Sequence, residues 1–509
     1  MTSTSANSAH VAIDLGAESG RVIVGALEDG RLRMEETHRF AHAARTTERG
    51  LRWDVEALWD GIVDGLRAAG RWSRANRIPL ASAGVDTWGV DFALLDEHDS
   101  LLAAPRCYRD ASHFAAMDVV LATHDRRRLY RTSGCAAMFF NTLFQLVAMR
   151  DAEPELLHRA RSLLFMPDYF HWRLSGAKRC ESTIASTSGA IDATTGAWAT
   201  RLLDELRVPT HMLLPTIAPG RRVGTIRGDL ARELELDADL AIVAPAGHDT
   251  ASAVAAVPAV AGSRWAYLSS GTWSLIGVER TAPLLTDDAC DAKLTNEGGA
   301  RGTTRLLRNI VGLWMIQEYR RELERAGDAH SYEELAALAE RSPSMRTLID
   351  VADERLHPPG DMRSRIAALA EESGEPVPAD VGATVRASIE SLALEYARTL
   401  AGIERIVGAC VDVLHVVGGG SLNELLNQCT ADAIGRTVVA GPVEATAAGN
   451  LLLQAVGVGS IAPDDVRSIV RASFPLRTYE PSAARRAEWR RARERYERLP
   501  SRSRPRVTA

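Results

Sequence analysis

Two segments of one design, half a chain apart, constrain the fold more than any other feature. Val11-Ala12-Ile13-Asp14 is a short run rich in β-branched residues; Gly16 and Gly20 follow, and Arg21-Val22-Ile23-Val24-Gly25-Ala26-Leu27 returns. β-Branched side chains suit a pleated surface and glycine permits a tight reversal, so the pattern reads strand, turn, strand. It comes back at Trp265-Ala266-Tyr267-Leu268-Ser269-Ser270-Gly271-Thr272, followed by Trp273-Ser274-Leu275-Ile276-Gly277-Val278. Such a repeat predicts a duplicated domain. The length of 509 residues agrees, because one domain usually holds about 100–200 residues. A cleft between two domains is the expected place for a ligand.

Around the hairpins, Ala83 to Leu95 is expected to form a third strand pair about Asp86-Thr87-Trp88-Gly89-Val90-Asp91. Val55 to Ala69 places Leu58, Ile62 and Leu66 on one helical face, and Val385 to Ile406 does so with Ile389, Leu392, Tyr396 and Leu400. Strands mixed with helices of this length predict an α/β architecture with a mixed sheet in each half. Asp412 to Val417 reads as a strand entering Gly418-Gly419-Gly420, with Ser421 as N-cap of a helix over Leu422 to Ile434. The polar, Gly- and Pro-containing segment Pro215 to Gly247 is the expected crossing point. The division expected is therefore a disordered tail at 1–9, domains at 10–246 and 247–480, and an arginine-rich helix and tail at 481–509.

Composition narrows the chemistry. Of the 60 lysines and arginines only Lys178 and Lys293 are lysines, and neither follows a glycine-rich turn. That excludes the lysine-dependent phosphate loop of P-loop enzymes and the lysine strand of protein kinases. A formal charge of −6 with 46% apolar residues describes a soluble globular chain. The six cysteines are scattered and read as reduced thiols, with no spacing for zinc. The N-terminus lacks the features of a signal peptide, and the most apolar stretch, Thr250 to Gly262, is too short to span a bilayer. A cytoplasmic protein without membrane partners is expected. Ten arginines from Arg485 to Arg506 are interspersed with Glu488, Glu494 and Glu497; they read as an exposed helix and tail, and no nucleic-acid partner is expected.

Four segments could carry chemistry. In Asp14-Leu15-Gly16-Ala17-Glu18-Ser19-Gly20-Arg21 a small-residue turn can aim backbone N–H groups at phosphate oxygens. A carboxylate there would repel the phosphates unless a cation lay between, so Asp14 is expected to associate with magnesium. Ser269-Ser270-Gly271-Thr272 offers hydroxyls at the matching place in the second half. In Ala244-Pro245-Ala246-Gly247-His248-Asp249-Thr250 a loop runs into a helix start, where Asp249 either caps the helix or, with His248, forms a polar site for a substrate. Gly418-Gly419-Gly420 permits close approach of a flat group such as adenine or makes a tight strand-to-helix turn. Gly441 to Gly449 adds a further small-residue loop, and no Rossmann fingerprint is present.

These segments stand in one order with Gly84-Val85-Asp86-Thr87-Trp88-Gly89-Val90-Asp91-Phe92, Tyr108-Arg109-Asp110, Met166-Pro167-Asp168-Tyr169-Phe170 and Asn296-Glu297-Gly298-Gly299-Ala300. From about Val11 to Arg477 the chain resembles the FGGY family of carbohydrate kinases, which share the actin-like ATPase fold. The resemblance implies two ribonuclease-H-like domains of actin/hexokinase type, with mixed sheets flanked by helices and an active-site cleft between them. It implies transfer of the γ-phosphoryl of ATP, with Mg2+, to the 1-hydroxyl of L-rhamnulose; the alternatives are another ketose such as L-fuculose, or a non-catalytic sugar- or nucleotide-binding regulator. In this resemblance the turn Ala17 to Arg21 and Thr272 hold the triphosphate, and Asn309, Gln317 and Gly419 meet the nucleotide. Gly89, His248, Asp249 and Thr250 meet the sugar, and Asp249 is the base. Glu18 departs from the family, many members of which carry a small hydroxyl residue there. No feature of the sequence specifies an oligomer.

Overall fold

The computed structural model describes residues 8–500. Residues 1–7 and 501–509, on which parts of the two expected tails fall, lie outside the described residues. The chain divides into two compact units. Unit 1 runs to Pro258 and takes back Glu279–Leu306 and Ala445–Ser473; unit 2 holds Ala259–Val278, Leu307–Glu444 and the chain from Phe474. The partition is thus interleaved, whereas the sequence suggested single changes at 246/247 and 480/481. Compactness follows three-dimensional packing, and a helix far along the chain can complete an early sheet.

In unit 1 the sheet is built from β1 (Ala9–Leu15), β2 (Ser19–Glu28), β3 (Arg31–Ala41), β4 (Leu80–Thr87), β5 (Arg221–Thr225) and β6 (Ala241–Ala244), in the order β5-β6-β4-β1-β2-β3. β1 pairs antiparallel with β2 and parallel with β4, and β4 is parallel to β6. Every residue of β1 is buried, as a strand covered on both faces requires. Helix α1 (Val55–Asn76) covers one face, where a Cβ on Gly65 would lie 2.2 Å from Val22. On the other face Gly25 meets Leu451 of a helix from late in the chain.

A second sheet, whose strands fall mostly in unit 2 although Glu279–Arg280 and Thr304–Leu306 belong to unit 1, repeats the design with β7 (Trp265–Ser270), β8 (Trp273–Arg280), β9 (Thr304–Val311), β10 (Val413–Val417), β11 (Thr437–Ala440) and β12 (Arg477–Tyr479). The order is β9-β8-β7-β10-β11-β12, with an antiparallel first hairpin and parallel β7-β10-β11. These are six of the seven strands of the sheet, the seventh being an edge strand Thr295–Gly298; the six repeat the order of unit 1, and from β8 to β12 its sense as well, so the duplication read from the hairpins extends well beyond them. The long core helix Val381–Val407 begins at Asp380, whose side chain accepts from Ala383 N, and ends at Gly408 in the left-handed conformation.

Several local expectations change. Phe92–Leu95 does form a strand, but it pairs with Ser162–Phe165 and not with β4. Val90, at φ 69°, turns the chain out of the sheet before Phe92. Helix Glu424–Ile434 is capped by Asn423, which accepts from Leu426 N at 2.9 Å, while Ser421 Oγ donates to Gly418 O within a 3-10 turn. The arginine-rich helix Arg486–Arg498 is more than a solvated face. It buries Trp489, Ala492 and Tyr496 within unit 2, and Trp489 donates to Asp432. All six cysteines are free. No helix among the described residues is long and apolar enough to cross a membrane.

The late helix Ala445–Gly457 packs on helix Asp249–Ala255 at Gly449, where a Cβ would fall 1.8 Å from Ser252 O. Alanine is intrinsically the better helix former by about 1 kcal/mol, yet overpacking of a tight core costs about 1–3 kcal/mol. A 1.8 Å approach to backbone puts this position at the costly end. Gly449→Ala is expected to lower the thermal denaturation midpoint; an unchanged or higher midpoint would contradict the close approach.

Candidate active site

The site of unit 1 starts where β1 and β4 end. Asp14 and Asp86 are register partners on these parallel strands, so two carboxylates stand side by side. Arg21, opposite Asp14 on β2, donates to Asp14 Oδ2 at 2.5 Å. In the turn between β1 and β2, Gly16 N donates to Ser19 O at 2.9 Å. Glu18 is exposed, and Gly20 is required because the Phe40 ring lies 2.3 Å from where a Cβ would be.

Asp86 is wholly buried and is held by a chain of hydrogen bonds whose donors all point towards it. His10 Nδ1 donates to Ser82 Oγ (2.7 Å), Ser82 to Gln454 Oε1 (2.7 Å), and Gln454 Nε2 to Asn450 Oδ1 (2.5 Å). Asn450 Nδ2 then donates to Asp86 Oδ2 (2.5 Å). Burial keeps His10 neutral, with its pKa lowered to about 4. Asp86 Oδ1 has no partner among the described residues. Burial first, then the neighbouring Asp14, and more weakly Asp249, hold the Asp86 carboxyl well above the ordinary carboxylate range. The sequence reading assigned Asp86, Asn450 and Gln454 no role. The signal was present in Asn450 and Gln454, polar residues four apart in the apolar run Ala445–Gly457.

Beyond β4 the loop Trp88–Asp91 presents Gly89. Val90 is a β-branched residue at φ 69°, a conformation that persists only when its surroundings over-determine it. They do so here. Val90 N donates to Thr187 Oγ1 and Thr142 Oγ1 donates to Val90 O. Asp91 receives Trp53 Nε1, Trp88 Nε1, Tyr108 N and Gln145 Nε2 at 2.6–3.1 Å. Its burial raises its pKa to about 6 against those donors. A Cβ on Gly89 would reach Thr187 Oγ1 at 3.4 Å and His248 Nε2 at 3.5 Å.

His248 and Asp249 follow β6. Thr87 N donates to Gly247 O, and Gly247 N donates to the buried Glu181 Oε2 at 2.9 Å. Asp249 opens helix Asp249–Ala255, with Oδ1 accepting from Thr250 N (2.5 Å) and Thr250 Oγ1 (3.1 Å) and lying 3.4 Å from His248 Nε2. Oδ2 accepts no hydrogen bond among the described residues, and the side chain is 32% exposed. The arrangement leaves one carboxylate oxygen available to a hydroxyl, while the neighbouring His248 ring lies by Gly89. Unit 1 therefore gathers Gly89, His248, Asp249 and Thr250, and the Asp14 and Asp86 carboxylates are near enough for Asp249 to act on Asp86.

In unit 2 the matching turn Gly271-Thr272 joins β7 to β8, and its carbonyls receive N–H groups at the start of a later helix, Gly271 O accepting from Leu313 N at 3.0 Å. Thr272 O accepts from Trp314 N at 3.1 Å at the start of Trp314–Arg325. Gln317 lies on that helix, and its Oε1 is buried with no partner among the described residues. Asn309 lies on β9. Of the three glycines, Gly420 is demanded by packing, since a Cβ there would fall 2.0 Å from Ser270 Oγ, while Gly419 faces open space.

Solved structures share this fold. A gluconate kinase from Lactobacillus acidophilus matches with a TM-score of 0.78 at 15% identity, over 96% of this chain and 97% of that one. Plasmodium falciparum glycerol kinase with ADP matches with a TM-score of 0.76 at 14% identity, over 97% and 99%. The chain therefore shares the two-domain fold of these proteins. Models of the FGGY family of carbohydrate kinases match at residues 9–256 for the N-terminal domain and 266–458 for the C-terminal domain. The chain belongs to the FGGY family of carbohydrate kinases. Among curated proteins, the rhamnulokinase of Bacteroides thetaiotaomicron is 41% identical over 92% of this chain and 95% of its own length. That of Oceanobacillus iheyensis is 39% identical over 92% and 98%, and that of Bacillus subtilis 35% over 93% and 95%.

The strained electrostatics at Asp86 yield a stability test. A carboxyl whose pKa is raised on folding opposes the folded state above that raised pKa and ceases to do so once protonated. Asp86→Asn keeps an acceptor for Asn450 and removes the charge. It is expected to melt at a higher temperature than the parent at pH 8, with the difference shrinking as pH falls into the carboxylate range. A difference that grows on acidification would overturn the assignment of repulsion to this group.

Proposed function

We propose that the chain phosphorylates L-rhamnulose at O1 with ATP and Mg2+, giving L-rhamnulose 1-phosphate and ADP. Its similarity to proteins named rhamnulokinases, at 35–41% identity over more than nine-tenths of the chain, supports this substrate. The observation that carries the chemistry is the Asp249 carboxylate, with Oδ1 tied to Thr250 and Oδ2 without a hydrogen bond among the described residues, next to a His248 ring whose Nε2 lies by Gly89. Phosphoryl transfer through a loose transition state needs chiefly positioning and a group to take the hydroxyl proton. Asp249 Oδ2 accepts the proton of O1 as that oxygen attacks, and His248, Gly89 and Thr250 line the sugar.

The turn Ala17 to Arg21 and Thr272 are assigned to the triphosphate, and Asn309, Gln317 and Gly419 to the nucleotide. The orphaned, buried Oε1 of Gln317 supports its part in this. The residues fit a magnesium ion: Asp14 and Asp86 are adjacent carboxylates, and Asp86 Oδ1 is buried without a partner. Hard oxygen donors of this kind suit Mg2+, and these two aspartates would hold it. The ion supplies neutralisation of phosphate charge. Glu18, exposed at the tip of the turn, leaves the Asp14 side of the turn to Arg21.

Coupled ADP release measured with a panel of ketoses tests the substrate. L-Rhamnulose is expected to give the highest kcat/KM; a higher value for L-fuculose or L-xylulose would refute the narrow claim, and no release with any sugar would refute a kinase. Asp249→Asn is expected to lower kcat by about 10²–10⁴-fold or more, the scale of a lost general base, with sugar binding retained in calorimetry. Near-normal turnover would remove Asp249 from the base role.

A further inference from the structure

His248 is gripped from behind by a buried ion pair that the reaction scheme does not use. Arg305 on β9 has 0% of its side chain exposed and Glu297 6%, and Arg305 Nη2 donates to Glu297 Oε2 at 2.9 Å. Arg305 Nε donates to Gly298 O at 2.9 Å. Both partners converge on one atom of the imidazole: Nη2 lies 3.1 Å from His248 Nδ1 and Glu297 Oε2 3.2 Å from it. The other ring nitrogen, Nε2, faces Asp249 Oδ1 at 3.4 Å and the space over Gly89. Such a pair is a poor device for stability, because desolvating two charges cancels most of their attraction and apolar replacements are often neutral or better. Its effect has to be sought in what it touches.

The tautomer follows from donor chemistry. A guanidinium has only donors and does not lose its proton in a protein. Of the two neighbours of Nδ1, Arg305 Nη2 meets it as a hydrogen bond and Glu297 Oε2 lies at 3.2 Å as an ion-pair contact, so the geometry favours Nδ1 as the acceptor from Nη2, and a neutral ring then carries its proton on Nε2. Glu297 accepts from Nη2 and keeps the guanidinium in place. We propose that Arg305, anchored by Glu297, is a positioning residue for the kinase reaction: it holds His248 as the Nε2–H tautomer, so that this proton is turned to Asp249 Oδ1. With Oδ1 occupied by Thr250 and by the imidazole, Oδ2 is the oxygen left for the sugar hydroxyl. The proposal rests on the reading of Asp249 as the base. It adds that two side chains buried on the far side of His248 set the orientation of that base.

The first measurement needs no variant. Nitrogen-15 spectra of histidine-labelled protein, with the His248 signals identified by their loss in His248→Asn, are expected to show protonated Nε2 and bare Nδ1. A protonated Nδ1 with bare Nε2 would overturn the proposal. The second measurement uses the apolar pair Glu297→Leu with Arg305→Met, chosen because it leaves no unpaired buried charge. It is expected to stay folded, to lose the single tautomer, and to lower kcat by about 10²-fold, the cost of a small misplacement at a reacting group, with KM for ATP unchanged. A folded double variant with parental kcat and an unchanged tautomer would sink the idea. Asp249→Asn run alongside separates the two readings. Full turnover in Asp249→Asn refutes the base, whereas an inactive Asp249→Asn beside a fully active double variant refutes only the positioning role.

Discussion

Asp14 and Asp86 end adjacent parallel strands in register, and much of unit 1 is arranged around that unfavourable pairing. Like charges at neighbouring strand ends oppose each other most strongly where water is excluded. Arg21 answers Asp14 from the next strand, and a file of neutral donors ending in Asn450 answers Asp86. One oxygen of Asp86 is left without any partner among the described residues. A fold selected for stability alone would not keep two carboxylates so placed. The proposed metal- and phosphate-binding site would have a use for them.

The same logic of local cost held by surrounding structure recurs one loop further on. Val90 adopts a backbone conformation that β-branched residues avoid, and Asp91 is buried as a potential charge. Four donors on Asp91, with Thr142 and Thr187 on Val90, make the loop rigid. What the rigidity yields is the placement of Gly89 against Thr187 and His248, where even a methyl group would come into contact. Glu181 acts in the same way on the other side: it binds Gly247, Thr183 and Ile184 and so fixes the loop that delivers His248 and Asp249.

The hairpins, the core helices and the loop that carries His248 and Asp249 into a helix were legible in the sequence because their signals are local. A β-branched run, a glycine turn, or an aspartate at a helix start can be read within about ten residues. The partners were not legible for the opposite reason. Asn450 reaches Asp86 from 364 positions away, and Arg305 meets His248 across 57. The strand Phe92–Leu95 was foreseen but its pairing was not, since a single left-handed residue at Val90 redirects the chain. Ser421 and Asn423 are both competent caps, and the 3-10 turn decides for Asn423.

The sequence by itself determined a duplicated α/β chain, a small-residue turn behind Asp14 and an aspartate poised at a helix start, because strand propensity, turn chemistry and helix termini depend on near neighbours. Only the tertiary structure decided that a helix from the last part of the chain completes the first sheet, and that Asp86 is its charged end. It also decided that the imidazole beside Asp249 is held by a buried ion pair. The physical reason is common to all three. A buried polar group takes whatever partner the packing brings within about 3 Å, and packing is a property of the whole chain.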